Sequence, residues 1–100
     1  MKRRKDPRKD MQLCAQVKEA IEMALMEFED DALHGAWVRL VQPNPDIKSL
    51  LVIIEAPDVD AASAAIAVLR GRLRFEVSNA IHRNRTPEMS FRVVPPTPPD

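Results

Sequence analysis

Between Arg8 and His34 the chain has no glycine or proline, and its apolar residues recur at helical spacing. Cys14, Val17, Ile21, Ala24, Leu25 and Phe28 fall at i, i+3, i+7, i+10, i+11 and i+14, which is one face of an amphipathic helix. Gln12, Lys18, Glu19, Glu22 and Glu29 take the opposite face. The acidic run Glu29-Asp30-Asp31 opposes the negative end of a helix dipole, so the helix is predicted from about residue 9 to about residue 29. The pattern then shortens. Residues 36–41, Ala-Trp-Val-Arg-Leu-Val, lie between Gly35 and Pro43 and have the composition and length of a strand. Pro43-Asn44-Pro45-Asp46 is a turn cluster in which two prolines forbid helix. Residues 50–54 are apolar without a break, which predicts a central strand covered on both faces. A connection this short makes an antiparallel hairpin the simplest pairing.

Asp58 or Asp60 can cap a second helix, which is rich in alanine from residue 61 to 69 and carries Ile66, Val68 and Leu69. Gly71 is predicted to interrupt it. Leu73, Val77, Ala80 and Ile81 then repeat at i, i+4, i+7 and i+8, a third helix that ends before Thr86-Pro87. Residues 88–94 alternate and read as a last strand. Pro95-Pro96-Thr97-Pro98-Pro99 cannot pair in a sheet and reads as an extended tail. The order α-β-β-α-α-β describes a two-layer α+β domain with a three-stranded sheet and its helices on one face. A flexible basic arm is expected over 1–8, the folded domain over 9–94 and a Pro-rich tail over 95–100. An uncovered sheet face would be polar or would bind something.

One hundred residues allow one small domain, and 45% hydrophobic with 30% charged is not a disordered composition. No apolar run approaches the roughly 20 residues of a membrane-spanning helix. No apolar stretch follows the basic start, so no secretory signal is expected. A single cysteine, Cys14, cannot form an internal disulfide, and a reducing cytoplasmic compartment follows as the default.

The net charge is zero, but its distribution is uneven. Residues 1–10 carry six basic and two acidic groups, residues 11–31 one basic and six acidic, and residues 70–92 six arginines and two glutamates. Two cationic segments therefore flank an acidic one, and a partner responds to that local potential.

Enzyme signatures are missing. There is no nucleophile elbow, phosphate-binding loop, dinucleotide fingerprint or CxxC, and Gly35 and Gly71 are the only glycines. His34 and His82 have no metal-site spacing, and no cofactor or metal is expected. Cys14, on the apolar stripe, reads as a small buried hydrophobe. His82, among arginines, reads as a contact or solvated residue. The positive signal is Arg70, Arg72, Arg74, Arg83 and Arg85, with Asn79 and Ser78 between them. Guanidinium forks match phosphate geometry and stack on bases. Phe75 projects outward in a helical projection, where it either stacks on a base or packs under the first helix or the arm. Lys2, Arg3, Arg4 and Lys5 form a basic arm, which either binds nucleic acid or solubilises the chain.

The element order resembles a type II KH domain, an RNA-binding fold. Gly71, followed sixteen residues later by Pro87-Glu88-Met89 and then Phe91, with Arg85 before the proline, resembles the ribosome-binding factor A family. That family carries a glycine kink, a basic third helix and an R-x-x-P-E-L-x-F ending. Pro45-Asp46-Ile47 followed by Val52-Ile53-Ile54 is similar to its turn and second strand, and the resemblance spans about residues 9–94. The family's alanine-x-glycine is here Leu69-Arg70-Gly71, and Gly71-Arg72-Leu73-Arg74 lacks the second glycine of the G-x-x-G loop of ordinary KH domains.

The resemblance implies a non-catalytic factor that binds the small ribosomal subunit and assists maturation of its 16S rRNA. A monomer is the default for a small domain with no evident exposed apolar stripe, and no membrane or small-molecule partner is expected. Arg70, Arg72, Arg74, Asn79, Arg83 and Arg85 would contact RNA. Gly71 would set the angle between helices two and three, and the basic arm would order on binding. The alternatives are a KH-like module for another RNA, or a protein-interaction adapter that has lost RNA binding.

Overall fold

The computed structural model describes residues 7–81 and 85–98. Its elements are α1 (Pro7–Glu27), a single 3-10 turn (Asp31–Leu33), β1 (Trp37–Pro43), β2 (Ser49–Glu55), α2 (Val59–Ala80) and β3 (Glu88–Val94). The strands form one sheet in the order β1-β2-β3. β1 pairs antiparallel with β2 as the hairpin reading expects, and β3 joins the other side of β2 in parallel. The crossover between the parallel strands is α2, as a parallel pair requires.

Helix α1 starts at Pro7 rather than near residue 9. Proline suits a first turn, where its missing N–H has no intrahelical partner anyway. Leu13, Val17, Ala20, Ile21, Ala24 and Leu25 are buried, and Cys14 and Phe28 are half-buried at the margin of the stripe. The chain then turns through Asp30, whose carboxylate accepts from Ala32 N–H at 2.9 Å. Gly35 has φ +78° and lies against Pro57, so both its conformation and the space beside it favour glycine.

β1 shifts register between Val38 and Leu40. The shift lets Val38 and Val41, three positions apart, both face the helices, where they pack with Leu50, Val52 and Ile54. The hairpin turn is held by Asn44 N–H to Ser49 O at 2.7 Å and by Lys48 N–H to Asp46 Oδ1 at 2.9 Å. The Asn44–Pro45 peptide is cis.

Two expectations are corrected. First, β2 is central but covered on one face only. Leu51 and Ile53, on the side away from the helices, are half-buried beside exposed Leu40. The two helices supply one layer, and among the described residues no second layer of elements covers the other face. Second, the helices expected on either side of Gly71 are one continuous helix, so the observed order is α-β-β-α-β. Ala62, Ala65, Ile66, Leu73 and Val77 are buried and Leu69 packs at their edge, an unbroken helical stripe across the glycine. A glycine inside a helix costs about 1 kcal/mol. Packing of the turns on both sides outweighs that. Gly71 is not in the left-handed region and does not set an interhelical angle.

Asp58 caps α2, accepting from Ala61 N–H at 3.1 Å. At the far end of the sheet, Glu55 is only 2% exposed although it faces away from the helices. Its Oε1 accepts from Thr97 N–H at 2.7 Å and from Thr97 Oγ1 at 3.2 Å, so the proline-rich segment is tied back to the end of β2.

Candidate nucleic-acid interface

The 3.6-residue period of α2 sorts its cationic side chains around the buried stripe. Ser63, Ala67, Arg70 and Arg74 line the flank beside β3, where shallow hollows are floored by Ile66, Met89, Phe91 and Val93. Arg72 and Glu76 line the flank beside α1. Gly71, Phe75 and Ser78 lie between the two flanks, on the outward side.

Each arginine has a distinct partner. Arg70 Nη2 donates to the main-chain carbonyl of Met89 at 3.1 Å. Arg74 pairs with Glu88 at 3.8 Å. Arg72 pairs with Glu76 at 3.5 Å, and its guanidinium lies 5.9 Å from the centroid of the Phe28 ring. All three arginines remain exposed. Surface ion pairs of this kind contribute about 0–1 kcal/mol. A phosphate can therefore replace either carboxylate at small cost, and the guanidinium fork suits it better.

The structure brings together Arg70, Gly71, Arg72 and Arg74 in the middle of α2. Asn79 is exposed in the last turn, and Arg85 is exposed in the connection that leads to β3. Lys2, Arg3, Arg4, Lys5, His82 and Arg83 lie outside the described residues. Phe75 is 59% exposed and, among the described residues, packs under neither α1 nor any other element. Sequence reasoning missed Phe28 as the ring beneath Arg72, and Glu88 as the counterion of Arg74. The Arg72–Glu76 spacing of i, i+4 was readable in the chain. The other contacts join residues far apart in sequence and had no local signal.

Among the described residues no three His, Cys, Asp or Glu side chains gather to hold a metal ion, and no helix is long and apolar enough to cross a membrane. Burial pushes the Cys14 thiol up, and the Asp10 charge one turn earlier adds to the shift, so the neutral form is favoured.

No protein-family model and no curated protein matches the sequence. Among solved structures the chain is similar to the crystal structure of ribosome-binding factor A from Thermus thermophilus, with a TM-score of 0.77 and 26% identity, over 84% of this chain and 93% of that one. The likeness takes in the α+β, KH-like arrangement of a three-stranded mixed sheet under two helices. The chain belongs to the fold family of ribosome-binding factor A.

Proposed function

We propose that this protein is a non-catalytic factor that binds the small ribosomal subunit through its 16S rRNA and assists maturation of that subunit in the cytoplasm. The carrying observation is the likeness of nearly the whole fold to ribosome-binding factor A. The arginines of α2 support it. Three guanidinium groups within five residues stand exposed on one helix, held only by weak surface pairs or by a carbonyl. Recognition rests on phosphate contacts and shape, which suits a folded RNA surface. Arg85 and Asn79 extend the contact toward the start of β3, and the basic arm with Arg83 adds charge.

The test is co-sedimentation with purified small subunits, mature and precursor, at low and moderate salt. Salt-sensitive binding, stronger to precursor particles, is the expected result. A folded protein that binds neither particle would overturn the proposal and return the other-RNA or adapter reading.

A further inference from the structure

We propose that Phe75 is a stacking platform for one unpaired base of the bound RNA. This rests on the reading of α2 as an RNA-binding surface. Phe75 projects from the outward side of a well-formed helix and is 59% exposed. The fold does not require an aromatic ring there, because the buried stripe of α2 runs along the opposite side. Arg70 and Arg74 stand on one flank and Arg72 on the other, so the phosphates beside a base on the ring find guanidinium groups on both sides, with Glu76 and Glu88 the weakly held carboxylates they displace. Gly71 lies one turn before Phe75 on the same outward side, and a Cβ added there would meet nothing within 4 Å. The helix surface therefore drops to bare backbone beside the ring, which leaves room for a sugar and phosphate to approach closely.

Charge selects the occupant. Met23 and Met26 are also exposed apolar side chains, but α1 sets them beside Glu19, Glu22 and Glu27; Met11, near the start of α1, and Val68, on α2, are exposed too but carry no ring to stack on a base. Trp37 and Leu40 are exposed on or beside the sheet, away from the α2 arginines. Phe75 is the exposed aromatic set among several guanidinium groups, which is the pairing that nucleic-acid strands use: stacking for the base, charge for the backbone. A fully paired duplex cannot offer its base face to a ring on a helix surface. The RNA segment on α2 therefore contains a bulged or looped nucleotide.

The experiment compares the full chain with its Phe75→Leu and Phe75→Trp variants, binding purified precursor small subunits across a salt series. Phe75→Leu is expected to weaken binding about tenfold, the scale of one lost base stack. It should leave the log–log salt slope unchanged, since no charge is removed. Phe75→Trp should bind at least as well as the unsubstituted chain. Urea midpoints of all three should agree, because the ring is exposed. If the unsubstituted chain binds with a steep salt slope and Phe75→Leu binds equally well, the platform is refuted while the RNA reading stands. A Phe75→Trp variant as weak as Phe75→Leu refutes it equally. If the unsubstituted chain binds no subunit, the RNA reading fails and the platform with it.

Discussion

The guanidinium of Arg70 reaches from α2 to the main-chain carbonyl of Met89 in β3, 3.1 Å away. β3 is an edge strand, so a carbonyl there that points away from β2 has no ladder partner, and the arginine supplies one. Arg70 therefore serves both as a strut between helix and sheet and as a cation on the proposed binding surface.

For Arg70 the two roles can be separated. Arg70→Ala should lower stability by about 1 kcal/mol, the scale of one hydrogen bond, and should also weaken RNA binding. Urea denaturation and subunit binding, measured on one preparation, check both effects.

Arg72 and Arg74 should behave differently, because their partners are exposed carboxylates. Replacing both by alanine should cost less than about 1 kcal/mol of stability. Neutralising about five phosphates gives a log–log salt slope on the order of −3 to −5, and the double variant should reduce its magnitude by roughly 2. A slope near zero in the unsubstituted chain would remove the electrostatic basis of the proposal.

Gly71→Ala should stabilise the protein by about 0.5–1 kcal/mol, because α2 is continuous there and the added methyl meets empty space. A glycine that held a kink open would give the opposite sign. The urea midpoint distinguishes the two.

The Glu55–Thr97 clasp predicts graded losses. Glu55→Ala removes the acceptor of both Thr97 bonds and should cost about 1–3 kcal/mol. Thr97→Val removes the hydroxyl bond alone and should cost about 0.5–1 kcal/mol. Equal effects in urea melts would show that the carboxylate contributes nothing through the backbone N–H.

Cys14 carries a pH signature. Its thiol is pushed up by burial and then by Asp10, so the folded state holds the proton more tightly than the unfolded chain. The resulting stability is fully present below the unfolded thiol value of about 8.5 and is lost as pH rises through the higher folded value. Melting temperature should therefore fall more steeply above that pH in the natural chain than in Cys14→Ala. Iodoacetamide at a pH of about 8, just below the unfolded thiol value, should label Cys14 more slowly in the folded protein than in urea.

Periodicity and local chemistry were enough to place most elements. The helical repeat from Val17 to Leu25, the strand over residues 88–94, the hairpin around Asn44 and the cap at Asp58 all follow from spacing, proline stereochemistry and short-range hydrogen bonding, which act over a few residues. The cationic middle of α2 was legible for the same reason, since arginines so close in sequence share one helix whatever it packs against. Three features depended on partners distant in the chain. Gly71 reads locally as a break, yet Ile66 and Leu73 on either side are both buried in one core, and that packing carries the helix through. The run Leu50 to Ile54 reads as doubly covered, yet among the described residues one layer of helices covers it. Glu55 carries no local signal of burial, and its burial depends on Thr97 folding back over it from 42 residues away. Side-chain spacing specifies which face is apolar; which turns are held together, and which charges lose their water, depends on how those faces meet.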